Sequence, residues 1–254
     1  MRLSANLGFL WTELPLPEAI AAAAHAGFDA VELHWPYATP AAEVRAALDA
    51  AGLPVLGLNT VRGDVAAGEN GLAALPGRET DARAAIAQAF DYGAAIGASN
   101  VHVMAGFASG AAARETFLAN LSFAADRAVE RGMGVLIEPL NRRDAPGYFL
   151  QTATQATALI EALGRPEVRI MFDCYHLQIM EGDLTRLFER VAPMVGHVQF
   201  AAVPSRAEPD EGEIAYGWLL PEIARLGYAG AFGAEYRPRA GTDAGLGWMR
   251  ALRG

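Results

Sequence analysis

The chain has 254 residues and a formal net charge of −9, and all 20 of its basic residues are arginine. That composition excludes a Schiff-base or P-loop lysine, and an acidic chain without a basic cluster is a poor general binder of nucleic acid. The single cysteine, Cys174, excludes an internal disulfide and a zinc site built from cysteines alone.

No apolar run reaches the ~18 residues a membrane span needs. The opening MRLSANLGFLWTELPLPEA does not read as a signal peptide. The expected setting is the cytoplasm, with no membrane partner. The sequence leaves the oligomeric state open, a homo-oligomer included.

Along the chain a strand-then-helix unit recurs. Short apolar runs rich in Val, Ile and Phe predict buried strands near 3–7, 30–35, 55–59, 100–104, 134–138, 169–173, 197–201 and 231–236. Between them lie amphipathic segments with helix punctuation. Pro15 and Pro17 open the first helix and Gly27 closes it; Pro40 and Gly52 bound the second. The third runs over 79–96 with Gly97 as stop, and the fourth ends at Gly132. Thr152 is the expected N-cap of the fifth, closed by Gly164, and Asp183 that of the sixth. The seventh ends at Gly227 and the last covers 242–252.

Eight such units in 254 residues give about 32 residues each, the arithmetic of a single-domain α/β chain folded as a (β/α)8 TIM barrel over 1–254. An open doubly-wound sheet would more often carry a glycine-rich first turn, which NLGFLWTELP is not. The connection from Thr60 to Arg78 is long and glycine-rich. Its apolar island at 71–76 argues for a docked, lid-like segment.

A barrel carries its active site at the C-terminal ends of its strands. Strand five ends VLIEPLN, leaving Glu138. Strand six ends IMFDCYH, leaving Asp173 and, three residues on, His176. Strand seven, GHVQFA, leaves Gln199, and strand eight, FGAEYRP, leaves Glu235. Four oxygen-bearing side chains thus close four consecutive strands, about one unit apart, at one expected level. Three carboxylates together need a countercharge, and an all-oxygen set favours Mg2+ or Mn2+. Glu138 and Glu235 are also the candidates for moving protons on a bound substrate. Taken singly, an acid after a strand is more often a cap, and Asp173 could cap the turn that follows it.

Arg206, in the loop after strand seven, is the best-placed cation for an anionic substrate group. His176 is a candidate substrate contact; His34, His102 and Arg62 are weaker ones. His25 is expected in a helix, and His197 at the wrong end of its strand for chemistry.

At these residues the sequence resembles the hydroxypyruvate isomerase family, within the xylose-isomerase-like barrel superfamily. The matching segments run in order along nearly the whole chain: SANLGFLWTELP, AGFDAVELHWPY, GDVAAGENGLAALPGR, VHVMAG, IEPLNRRDAPGYFLQT, FDCYHLQIMEGDL, GHVQFAAVPSRAEPDEGEIAY and EYRPRAGTDAGLGWM. The resemblance implies a metal on Glu138, Asp173, Gln199 and Glu235, with the two glutamates as the acid/base pair. His176 and Arg206 match substrate-contacting positions. The implied reaction interconverts hydroxypyruvate and tartronate semialdehyde, or a related small 2-oxo acid such as 2-dehydrotetronate, through an enediolate. The loop after strand seven departs from the family pattern at Ala202, Ser205, Ala207 and Ala215, and the turn after strand three at Thr60 to Arg62. A ketose or inositol-type epimerase or dehydratase, or a catalytically silent sugar-acid-binding barrel, is the alternative. A nuclease would need more histidine ligands and a basic groove.

Overall fold

The fold was analysed in a computed structural model, which describes residues 1–253. Eight parallel strands alternate with helices: β1 (Leu3–Asn6), α1 (Leu16–His25), β2 (Ala30–Glu32), α2 (Ala41–Ala51), β3 (Leu58–Asn59), α3 (Glu79–Ile96), β4 (Asn100–His102), α4 (Gly110–Arg131), β5 (Gly134–Ile137), α5 (Ala153–Leu163) and β6 (Val168–Asp173). The second part continues with α6 (Cys174–Met180), α7 (Leu184–Val191), β7 (Val195–Phe200), α8 (Tyr216–Arg225), β8 (Phe232–Ala234), α9 (Thr242–Gly245) and α10 (Trp248–Arg253). The strand order β2-β1-β8-β7-β6-β5-β4-β3 is that of a single-domain (β/α)8 barrel. A parallel bridge between Val31 and Val55 spans the remaining gap, with backbone bonds from Leu33 N to Gly57 O and Leu56 N to Val31 O.

The strands are apolar because both faces are covered: β1 and β5 to β8 are almost wholly buried. Gly52, Gly97, Gly132 and Gly164 end their helices in the left-handed conformation, as the punctuation implied. Thr152 caps α5 by accepting the Gln155 amide at 3.1 Å.

Two local expectations are corrected, the Asp183 cap and the unbroken last helix, while the Asp173 cap is met on a helix the pattern did not predict. Asp183 precedes α7 but makes no side-chain cap; it sits at φ 43°. Asp173 instead caps the extra helix α6, its Oδ1 accepting the Tyr175 amide at 2.8 Å. The last helix is broken into α9 and α10 around Gly247.

The 60–78 segment is docked. Its residues 72–74 are buried, and the Ala74 amide donates to Ala105 O at 2.7 Å. Asn120 of α4 donates to Ala73 O at 2.8 Å. Gly71 pairs with Ala105, and a Cβ on Gly71 would meet Gly106 N and Met104 O at 2.7 Å. Glycine is required there by contact as well as by its φ of 114°.

Candidate active site

The strand-end side chains converge at the C-terminal mouth. Ligand atoms of Glu138, Asp173, His176 and Glu235 lie within 4.8 Å of one another, and all four residues are buried. They are not level in the hydrogen-bond ladder. Asp173 pairs with Gln199, but Gln199 pairs with Gly233, two residues before Glu235. The stagger of tilted barrel strands compensates for the offset.

Glu235 is the most heavily partnered carboxylate. Its Oε1 lies 3.0 Å from both Asn6 Nδ2 and His34 Nε2, and its Oε2 accepts Arg206 Nη2 at 2.9 Å. Burial raises its pKa, but the His34 hydrogen bond and the Arg206 charge outweigh that and hold Glu235 well below the usual carboxylate range. Glu138 has no such support. Burial and the neighbouring charges of Glu235 and Asp173 push it well above that range. Asp173 rises too, from burial first and the Glu235 charge second.

Oδ2 of Asp173, Oε1 of Glu138 and Oε1 of Gln199 are buried without a hydrogen-bond partner in the protein. Buried polar atoms are normally paired. Three orphaned oxygens, two of them from carboxylates a few ångströms apart, suit a hard divalent cation.

His176 belongs to the cluster but faces it as a donor. Its Nδ1 accepts the Asn141 backbone amide at 3.0 Å. The Asn141 side-chain nitrogen lies 2.7 Å from the same atom, while Asn141 Oδ1 accepts the amides of Arg143 and Asp144. Burial lowers the His176 pKa to about 3, so the ring is neutral. The proton therefore resides on Nε2, 3.6 Å from Asp173 Oδ2 and 3.8 Å from Glu138 Oε1. In this tautomer Nε2 cannot ligate a cation and can donate to a substrate oxygen.

Arg206 lies in the cluster as well. Its guanidinium sits over the rings of Phe9 and Tyr175, at 4.8 and 5.0 Å, and its backbone is held at φ 55°. The loop carrying it closes through backbone bonds, Ala202 N to Ala207 O and Arg206 N to Ala202 O. Two positions that depart from the family pattern, Ala202 and Ala207, thus serve as backbone.

His102 stands behind Glu138, Nδ1 to Oε2 at 3.7 Å. Arg62 stacks on Trp35 at 4.0 Å. A cavity of about 400 Å3 opens over the cluster, lined among others by His34, Glu138, His176, Arg206 and Glu235, with Arg62 at its rim. Residue-by-residue reading of strands five to eight missed Asn6 and Glu32. Both close their strands in the fold, but the apolar runs predicted over 3–7 and 30–35 continue past them, so the strand-end rule passes over them.

Comparison with known proteins agrees with this architecture. The chain is 49% identical to a 2-oxo-tetronate isomerase of Cupriavidus necator, over 100% of this chain and 99% of that one. It is 37% identical to the hydroxypyruvate isomerase of Escherichia coli, over 100% of both. A solved structure titled AP endonuclease, family 2, from Brucella melitensis superimposes with a TM-score of 0.95 at 42% identity, covering 98% of each chain. With these full-length relatives, and with the family model for the xylose isomerase-like TIM barrel matching residues 20–252, the chain belongs to that family.

Proposed function

We propose that this protein is a metal-dependent isomerase of a small 2-oxo acid, interconverting hydroxypyruvate and tartronate semialdehyde or a close analogue such as 2-dehydrotetronate. The full-length relatives carry isomerase names, so isomerase is the activity class. The observation that carries the finer reading is the buried set of Glu138, Asp173 and Glu235 with the three orphaned oxygens of Glu138, Asp173 and Gln199.

Glu138, Asp173, Gln199 and Glu235 would hold the cation, Mg2+ or Mn2+. When bound, it supplies positive charge beside the substrate's adjacent oxygens, where enediolate charge develops. The chain's own groups do the rest. Glu235, ionised among its donors, is suited to take a proton from carbon. Glu138, the other carboxylate of the pair, is suited to return one to the neighbouring carbon. What sets the two apart in the structure is that Glu235 is held by Asn6, His34 and Arg206, whereas Oε1 of Glu138 has no hydrogen-bond partner in the protein. Nε2–H of His176 orients a substrate oxygen, and Arg206 faces the carboxylate end.

The partner is a small hydroxy-oxo acid rather than a membrane or nucleic acid, and the setting we propose is the cytoplasm. Among the described residues no helix is long and apolar enough to cross a membrane. The cluster holds a single histidine, and that one faces it as a donor, which argues against a nuclease. The test is turnover of a panel of small hydroxy-oxo acids and neutral ketoses with Mg2+ or Mn2+, read by product. Isomerisation of the acids supports the reading. Turnover of ketoses alone moves it to an epimerase, and no turnover at all to a silent binding barrel.

A further inference from the structure

Next to Gln199 the barrel interior holds a polar group that the reaction above does not use. Glu32, the last residue of β2, is 4% exposed. Its Oε2 accepts Gln199 Nε2 at 2.7 Å, and its Oε1 accepts the Ser4 hydroxyl. His197 Nε2 lies 3.0 Å from Oε2. The space for this group comes from Gly233 on β8: a Cβ there would fall 2.3 Å from Glu32 Oε1 and 2.9 Å from Gln199 Cγ.

An ionised carboxylate only accepts hydrogen bonds. The end of the Gln199 amide that faces Glu32 must then be the nitrogen. Its oxygen is turned the other way and is buried without a protein partner. Gln199 is paired in register with Asp173, so both side chains leave the sheet on the same face.

We propose that Glu32 is a positioning residue that locks the Gln199 amide with its oxygen presented to the cation seat. This rests on the cation-site reading above. Groups behind a metal ligand that fix its orientation typically change affinity by about 10- to 100-fold when removed.

The test is a double-variant cycle read by calorimetric Mn2+ binding. Glu32→Met fills similar volume but accepts no hydrogen bond; Gln199→Ala removes the ligand. Each single variant should weaken Mn2+ binding by about 10- to 100-fold, and the double variant should bind no more than about twofold worse than Gln199→Ala. If Glu32 acted only as a distant negative charge, the two losses would multiply, and that result overturns the proposal. So does wild-type affinity in Glu32→Met. If that variant does not fold, Glu32→Gln keeps the shape but no longer dictates which amide end faces it. A partial loss of affinity is expected there, and an unchanged value overturns the proposal. A wild-type protein that takes up no Mn2+ overturns the cation reading together with this one, and is distinguishable from an effect absent only in the variants.

Discussion

Arg206 donates to Glu235 Oε2 at 2.9 Å, so the cation read from sequence as a substrate contact is also the counterion of a proposed catalytic base. Its removal should show in two ways. A guanidinium–carboxylate contact is worth roughly 1.5–3 kcal/mol, so Arg206→Ala should raise KM for a 2-oxo acid about 10- to 100-fold. Glu235 also loses a group that lowers its pKa. The acidic limb of the kcat profile should therefore move to higher pH. Arg206→Lys restores charge but not the fork, and should rescue the limb more than the KM. An unchanged KM in Arg206→Ala would place the arginine outside the substrate's reach.

The glutamates have separate tests. Glu138→Gln and Glu235→Gln each keep an oxygen in the site while removing the proton carrier. Positioned acid–base catalysis contributes about 10²–10⁴-fold, so kcat should fall at least about 10²-fold in each. Mn2+ titration of the same variants separates lost proton transfer from lost binding. Near-full turnover in either variant removes that glutamate from the chemistry.

The acids of this site were legible because each closes an otherwise apolar strand, a placement that burial makes expensive without a purpose. Asp173 shows how the bland and functional readings coexist. Its Oδ1 caps α6 while its Oδ2 stays unpaired in the cluster. The helix α6 itself was not expected, because no glycine or proline separates it from β6 and its only start signal is that aspartate. The pairing of Glu32 with Gln199 joins residues 167 positions apart and depends on barrel stagger, which local pattern does not encode. The third strand is shorter than its apolar run because only Leu58 and Asn59 join the ladder, while Val55 makes a lone bridge to Val31.

The protonation of the cluster links cation binding to stability. Burial, with the Glu235 charge beside it, raises Asp173 to about 8, and an aspartate in the unfolded chain titrates near 3.9. Between about pH 6.5 and 8 the cation-free native state thus binds protons that the unfolded chain has lost, and its stability falls as pH rises. His102 and His176, lowered by burial to about 4 and 3, act in the opposite sense, mainly below about pH 7 where unfolded imidazoles are partly charged, and so offset part of the fall near pH 6.5. A cation would take the place of these protons. The Tm of chelator-treated protein should therefore drop from pH 6.5 to 8, and Mn2+ should raise it more at pH 8. Asp173→Ala should lose the Mn2+ effect at both values. A cation-free Tm that climbs over this window would contradict the assignment.

Gly8 offers a steric test of the His34–Glu235 contact. A Cβ on Gly8 would fall 2.0 Å from His34 Nδ1 and 2.1 Å from its Cγ. The imidazole has little room to yield, because Phe9 packs edge-on at 5.2 Å and Trp35 lies at 4.9 Å. Gly8→Ala should therefore displace the ring and take Nε2 off Glu235 Oε1, now at 3.0 Å. A hydrogen bond to a charged group is worth about 1.5–3 kcal/mol, so kcat should fall about 10- to 100-fold while the circular dichroism spectrum stays that of the wild type. His34→Ala should show a similar loss. The three atoms nearest the added methyl all belong to that ring, so Gly8→Ala should cost little more in the His34→Ala background. If instead the two losses multiply, the glycine acts through some other group and His34 is not what its missing side chain accommodates.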